Sequence, residues 1–157
     1  GEAAEDQSGT SVSLSSDGTR VAIGAYLNDD NGNNSGQVRI YEYNGTAWTQ
    51  LGTDIDGETA YDQSGYSVSL SSDGTRVAIG APVIDSGRVQ LYEYSGTAWT
   101  QVGGDIDGEA AGDFVSLLCP CPTTWMISLS MIPWHPRVCL YIGAGLDSRT
   151  NPLAPPC

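Results

Sequence analysis

The chain has little positive charge. Its 157 residues include no Lys, six Arg and one His, against 19 Asp and Glu, for a formal net charge of −13. Nucleic-acid binding depends on a basic surface that neutralises phosphates, so this balance argues against a nucleic-acid partner. No apolar run approaches the roughly 20 residues of a membrane-spanning helix, and the acidity disfavours an anionic membrane surface. We therefore expect no membrane insertion.

His, Cys and Lys are all absent from residues 1–113, which nevertheless hold 18 of the 19 acids. A Ser nucleophile there lacks a basic partner, and Asp54 with Asp56 shows no sign of an enclosing pocket. We therefore expect no catalytic residues and no enzyme activity. Residues 114–157 differ sharply, because they hold all four Cys, the single His and seven of the eight Pro, but only one acid.

The sequence does contain a tandem repeat. Residues 6–25 and 62–81 match at 19 of 20 positions, and residues 41–50 and 92–101 match at nine of ten. The offset falls from 56 to 51 because one loop is five residues shorter in the second copy. These matches divide the chain into a first unit, 1–56, a second unit, 57–107, and a third region, 108–157, which starts a third repeat and then diverges.

Each unit has the pattern of four short strands. In the first unit Val12 and Leu14 alternate with Ser, which is the period of a half-buried strand, and Asp17-Gly18 and Asn44-Gly45 are hairpin signals. The four predicted strands cover residues 11–15, 20–25, 37–43 and 47–51, with 37–43 as the central one. Tandem units of four antiparallel strands are typical of propeller blades. We expect an all-β fold, with two four-stranded blades of an incomplete propeller and an irregular C-terminal tail.

The units resemble FG-GAP repeats, the blades of the integrin α-subunit propeller and of many microbial and algal surface proteins. The resemblance depends on Gly65-Tyr66, in place of the family's Phe-Gly, on SVSLSSDG, and on VAIGAP ending at Pro82. The first unit departs at Gly9-Thr10 and at Tyr26. The resemblance implies a non-catalytic binding or adhesion module, a fragment of an extracellular or cell-surface protein, with a protein or carbohydrate ligand at the blade loops.

The resemblance also raises calcium binding. Integrin-type repeats usually hold calcium in a D-x-D-x-D-G-x-x-D loop between the first two strands of a blade. Here that turn carries only Asp17 in the first unit and Asp73 in the second. One carboxylate does not supply the six to eight oxygens that calcium takes, so this site is not carried over.

A second acidic motif, DIDGExxxD, lies where one unit follows another. Alternate residues of an extended segment share one side, so several of its oxygens would converge on one hard cation, although Gly stands at position 4 rather than 6. The alternative is a solvated acidic turn whose carboxylates accept backbone N–H groups. The candidate calcium ligands are Asp54, Asp56, Glu58 and Asp62 at the first junction, and Asp105, Asp107, Glu109 and Asp113 at the second. We expect no other cofactor.

Two further features invite a binding role. The polar loop at 28–34 is a candidate for calcium or a polar ligand, or else is simply a flexible loop. Aromatic side chains on the strands suit sugar stacking, but packing between neighbouring blades is the better explanation. These aromatics are Tyr41, Tyr43 and Trp48, and their partners Tyr92, Tyr94 and Trp99.

Two blades do not close a propeller, which needs typically four to eight. Two repeats also leave their outer faces open, so we expect further blades of a longer chain, or self-association. A calcium-binding structural repeat array and the accessory repeats of a secreted hydrolase are the alternatives. The abrupt change after residue 113 favours a frameshift, retained intron or mispredicted exon over a genuine divergent end, and the four Cys leave three disulfide pairings open.

Overall fold

The computed structural model of the chain describes residues 1–82 and 87–109, with the backbone of three further strands at 114–116, 126–130 and 138–141. Every regular element in this described part is a β-strand, which confirms the all-β class. A search of the same part for a helix long and apolar enough to cross a membrane finds none.

The first unit folds into an antiparallel sheet. Its five strands are β1 (Ser11–Leu14), β2 (Arg20–Ala25), β3 (Gln37–Tyr43), β4 (Trp48–Gln50) and β5 (Ile55–Asp56). The strands β1 to β4 lie side by side in chain order. Val12 pairs with Ile23 and Leu14 with Val21 across the first hairpin, whose Gly18 has a φ of +70°, as the Asp-Gly signal predicts.

The central position of β3 is confirmed, since β2 pairs along one of its edges while β4 and β5 pair along the other. The predicted fourth strand is divided between these last two elements. Gly52, with a φ of +80°, turns the chain out of the ladder just after Leu51 N donates to Ile40 O at 2.8 Å. The chain then returns to the same edge of β3, so the sheet has five elements rather than four.

The second unit repeats this sheet. Its strands are β6 (Ser67–Leu70), β7 (Arg76–Ala81), β8 (Arg88–Tyr94), β9 (Trp99–Gln101) and β10 (Ile106–Asp107). The register is also the same, because Val68 pairs with Ile79 as Val12 pairs with Ile23. Two sheets of one design confirm the expectation of two blade-like units. A third antiparallel sheet contains β11 (Phe114–Ser116), β12 (Met126–Ser130) and β13 (Val138–Tyr141).

The first two sheets share one hydrophobic core. It contains Ala22, Val38, Ile40, Leu51 and Ile55 of the first unit and Val68, Leu70, Val77, Ile79 and Trp99 of the second. Side chains alternate between the two faces of a strand, so each unit has a front face and a back face. The front face is the one that carries Val12 and Leu14 in the first unit, and Val68 and Leu70 in the second. The back face of the first unit covers the front face of the second.

The front faces of the two units differ in burial. Val68 and Leu70 are each 7% exposed, because the first unit covers them. Their equivalents Val12 and Leu14 are 55% and 57% exposed. The repeat therefore encodes a face that becomes core only when another sheet lies against it.

The long β2–β3 loop helps to join the units. The amides of Tyr61 and Gln63 donate to the carbonyls of Asn33 and Asn34 at 2.8 and 3.0 Å, and Gly36 forms a parallel bridge with Ser64. This loop was expected to be a ligand site or a flexible segment. In the structure its backbone is paired with the segment that enters the second unit, and its role as a ligand site stays a prediction.

Candidate functional site

Acids from both junctions surround an arginine of the second unit. Arg88 is the first residue of β8, and its side chain is 14% exposed. Its Nη1 donates to Glu58 Oε2 at 3.0 Å and to Asp105 Oδ2 at 3.1 Å, and its Nη2 donates to Asp62 Oδ2 at 2.7 Å. We call these four residues the Arg88 cluster. It pairs three carboxylates with a cation supplied by the chain itself.

A tight local turn positions Asp62 for this contact. The carboxylate accepts hydrogen bonds from the Thr59 amide and hydroxyl, both at 2.9 Å, and is nearly fully buried. Tyr61 and Gln63, on either side, have φ values of +68° and +55°, which are uncommon for residues other than glycine. The surrounding hydrogen bonds hold this strained backbone in place, so the Asp62 carboxylate points at Arg88.

The electrostatics of the cluster favour the ion pairs. Burial alone lowers the pKa of Arg88, but the charges of Asp62, Glu58 and Asp105 more than offset burial, so its pKa is raised. For Asp105, burial raises the pKa, and hydrogen bonds from Gln90 and Gln101 together with the Arg88 charge bring it below its usual value. Both groups are therefore ionised at neutral pH.

Two acids of the first junction and one of the β2–β3 loop surround an uncharged side chain. Gln37 is the first residue of β3 and occupies the position that Arg88 has in β8. Its Nε2 lies 3.1 Å from Asp30 Oδ2, 3.2 Å from Asp54 Oδ2 and 3.2 Å from Asp56 Oδ1. Its other terminal atom, Oε1, is buried and has no hydrogen-bond partner. We call these four residues the Gln37 cluster.

The structure divides the eight predicted calcium ligands among different places. Asp54 and Asp56 converge on Gln37, as the alternation predicts, whereas Glu58, Asp62 and Asp105 converge on Arg88. Asp107 pairs with Arg88 in the backbone ladder and is exposed, as is Glu109, while Asp113 lies outside the described residues. As they stand, the described His, Cys, Asp and Glu side chains form no group of three or more that could hold a metal ion. Calcium binding at these junctions stays a prediction.

The hairpin aspartates are committed to their own turns. Asp17 Oδ1 accepts hydrogen bonds from Ser15 Oγ at 2.6 Å and from the Thr19 amide at 2.9 Å. These bonds, led by that from Ser15, lower the pKa of Asp17 to about 2. Asp73 has the same partners in the second unit, and the hydrogen bond from Ser71 is the main cause of its lowered pKa. The turns therefore need no cation to balance these carboxylates.

The aromatic side chains of the second unit pack against the first unit, whereas those of the first unit are more exposed. Trp99 is 9% exposed, its Nε1 donates to Leu51 O at 2.7 Å, and its ring lies 5.2 Å from that of Tyr94. The equivalent Trp48 is 47% exposed beside Tyr43. The packing interpretation therefore accounts for Tyr94 and Trp99, and for Tyr92 at the edge of the core.

Sequence reasoning missed the residues at the centre of both clusters. The first unit reads Gln37-Val-Arg39 where the second reads Arg88-Val-Gln90, so the two side chains exchange places. Arg39 in turn pairs with Glu2 at 3.2 Å. This exchange was visible in the aligned units, and it is the reason why the two clusters differ in charge.

Stacked sheets with one topology define a tandem β-sheet repeat protein whose units have the form of propeller blades. The family model of the FG-GAP repeat matches residues 1–41, which span β1, β2 and most of β3. Residues 1–41 therefore match the FG-GAP repeat, the family that the sequence motifs resemble. No curated protein matches the chain.

Proposed function

We propose that the chain is a non-catalytic binding or adhesion module of a β-propeller-type protein that acts at a cell surface or outside the cell. The FG-GAP match supports a non-catalytic role, because such repeats are typically structural. The absence of Lys, His and Cys from residues 1–113 is consistent with that role. Fold alone does not dictate function, so the proposal also depends on the surfaces that the units present.

Stacking of the two units is the observation that carries the proposal. The second unit buries Val68, Leu70 and Trp99 against the back face of the first. The first unit presents the same side chains to solvent on its own front face. We propose that this face packs against a further unit of the same kind, in a longer chain or in a second copy. A rigid stack would then hold the loops in a fixed array.

The ligand, a protein or a carbohydrate, would meet the end of the stack that carries the long loops. In each unit the β1–β2 and β3–β4 turns, and their counterparts, lie at one end, while the β2–β3 loop and the junction lie at the other. The hairpin turns are short and alike, whereas the β2–β3 loop differs in length between the units. Variable loops on a rigid scaffold are where binding proteins commonly place their contacts.

The test is a binding screen with a loop-exchange variant. The full chain, fluorescently labelled, is applied to arrays of immobilised glycans and of secreted proteins. Residues 26–36 are replaced by 82–87 in the variant, and Thr46→Ala, at the other end, is the control. We expect binding that the loop exchange abolishes and the control retains, with circular dichroism showing that both remain folded. Absence of binding, or binding that survives the exchange, would refute the proposal.

A further inference from the structure

We propose that Asn44, on the hairpin turn between β3 and β4, is the acceptor of an N-linked oligosaccharide. It stands in the triplet Asn44-Gly45-Thr46, which has the Asn-x-Thr pattern that N-glycosylation requires. The proposal rests on the proposed function, because a chain must enter a secretory compartment to meet the transferase that makes this modification. It adds a covalent modification site that lies apart from the loops proposed to meet the ligand.

The hairpin presents the triplet to solvent. Asn44, Gly45 and Thr46 are all exposed, and the Asn44 amide closes the turn by donating to Ala47 O at 3.1 Å. Gly45 has a φ of +93°, a conformation that glycine adopts easily and other residues rarely do, so the turn itself favours this middle residue. An oligosaccharide attached at the tip of the hairpin would extend into solvent and displace no core side chain.

The turn occupies one end of the Asn44 side-chain amide and leaves the other end available. Its Oδ1 accepts hydrogen bonds from the amides of Thr46 and Ala47, both at 3.0 Å. Among the described residues, neither Asn44 Nδ2 nor the Thr46 hydroxyl has a hydrogen-bond partner. Two donors on Oδ1 polarise the amide and make its Nδ2 hydrogens more acidic. The nitrogen that is modified and the hydroxyl that completes the triplet are therefore both accessible to an enzyme.

A second triplet of the same pattern, at 33–35 in the β2–β3 loop, is far less accessible. Its Ser35 is 0% exposed, and the Ser35 hydroxyl donates to Asn28 O at 3.3 Å. The carbonyl of Asn33 accepts the amide of Tyr61, so this triplet forms part of the contact between the units. Of the two triplets, only the one on the hairpin is open to a transferase in the folded chain.

The second unit shows that a glycan at this turn is compatible with stacking. Its equivalent turn, Ser95-Gly96-Thr97, has the same form, because the Ser95 amide donates to Ala98 O at 2.9 Å and Gly96 has a φ of +96°. All three residues of this turn are exposed although the nearby Trp99 is buried against the first unit. An oligosaccharide on Asn44 would therefore leave the front face of the first unit free to pack against a further unit.

The modification is a glycosyl transfer from an oligosaccharide diphosphate carried on a membrane lipid. Asn44 Nδ2 attacks the anomeric carbon of the first sugar, so that a nitrogen–carbon bond forms as the bond from that carbon to the diphosphate oxygen breaks. The lipid diphosphate leaves with the electron pair of the broken bond, and a base of the transferase takes one Nδ2 proton. The Thr46 hydroxyl is not consumed.

The test expresses the full chain behind a cleavable signal peptide in a eukaryotic cell line and recovers it from lysate and medium. Cleavage of the signal shows that the chain has entered the secretory compartment. We expect an amidase that releases N-linked glycans to lower the mass of the chain by one oligosaccharide and to convert Asn44 to aspartate, which peptide mass spectrometry detects. A chain with its signal removed and Asn44 unmodified would overturn the proposal, and so would a glycan on Asn33 in its place.

Matched variants show whether the hairpin triplet is the acceptor. Asn44→Ser, which copies the second unit, and Thr46→Ala, which keeps the asparagine, should each lose the oligosaccharide, whereas Asn33→Gln should retain it. Ser95→Asn completes the same triplet on the equivalent turn and should double the mass shift. Circular dichroism establishes that each variant is folded. A glycan that survives Thr46→Ala, or no second glycan on Ser95→Asn, would disprove the assignment.

The modification and the ligand-binding role fail separately. A chain that carries the glycan on Asn44 but binds nothing in the ligand screen would refute the binding role alone. A chain that binds a ligand and passes through the secretory compartment with Asn44 unmodified would refute the modification alone.

Discussion

At the scale of single residues, neighbouring donors decide what an acid does. The carboxylates of Asp17 and Asp73 accept hydrogen bonds from the serine and threonine of their own hairpins. The carboxylates of Asp62 and Asp105 accept hydrogen bonds from Arg88. The acids of this chain are therefore stabilised by different local partners, and the net charge of −13 alone does not identify a cation site.

Removing one hydroxyl should change the titration of Asp17. The hydrogen bond from Ser15 is the main cause of its pKa of about 2, so Ser15→Ala should raise this pKa toward 3.8. NMR titration of the side-chain carboxyl carbons measures the shift, and Asp73, with its own Ser71, is the internal control. An unchanged Asp17, or a parallel shift of Asp73, would mean that other bonds set the value.

The same pKa shift links stability to pH. A carboxylate whose folded pKa lies below its unfolded pKa stabilises the folded state above the unfolded value and loses that contribution as pH falls through the folded value. For Asp17 the window extends from about 4 down to about 2. Over this range the parent should lose more of its unfolding free energy than Ser15→Ala, as urea titrations at each pH would show.

The candidate site was only half predictable from residue spacing. Alternation correctly brought Asp54 and Asp56 to one side, because β5 is extended there. The strand ends at Asp56, so Glu58 leaves the alternation and reaches Arg88 instead. Asp30 joins the first cluster across the loop, and no local pattern in the sequence predicts such a contact.

At the scale of elements, the strands were predictable where alternation and turn residues agree. The bounds of β2 and β3 coincide with the predicted residues 20–25 and 37–43. The division of the fourth strand was not predictable, because it depends on the positive φ of Gly52 and the return of the chain to β3. The sequence also could not predict that β6 is buried and β1 is exposed, because both strands read SVSL.

The two units offer a matched test of close packing at one glycine. Gly9 and Gly65 both have positive φ, so replacement by Ala costs each about 1–2 kcal/mol in backbone conformation. A Cβ on Gly65 would also lie 2.7 Å from Gln37 O and 2.9 Å from a Val38 methyl, whereas a Cβ on Gly9 meets nothing within 4 Å. Gly65→Ala should therefore lose about 1–3 kcal/mol more of its unfolding free energy than Gly9→Ala.

Chemical denaturation of the two variants measures that difference. Equal losses would show that conformation alone matters and that the first unit does not press on Gly65. A larger loss for Gly9→Ala would contradict the packing of the two sheets altogether.

At the scale of the whole molecule, the two units share one core, so we expect them to unfold as one cooperative structure rather than as two independent domains. Their core is continuous, because the back face of the first sheet and the front face of the second enclose the same cluster of side chains. Hydrogen bonds cross the same boundary, from Ser11 Oγ to Gly65 O at 2.6 Å and from the Leu70 amide to Ser13 Oγ at 2.9 Å. A substitution that weakens this boundary should therefore destabilise both sheets.

Trp99→Phe is a substitution that weakens this boundary. It removes the hydrogen bond to Leu51 O, leaves the carbonyl without its donor, and should lower the unfolding free energy by about 1–3 kcal/mol. Trp48→Phe, at the exposed equivalent position, should change it by less than about 0.5 kcal/mol. Amide hydrogen exchange followed by mass spectrometry should show that Trp99→Phe reduces protection in β2 and β3 as well as in β7 and β8. Loss of protection confined to the second sheet would mean that the units unfold separately and that the shared core does not couple them.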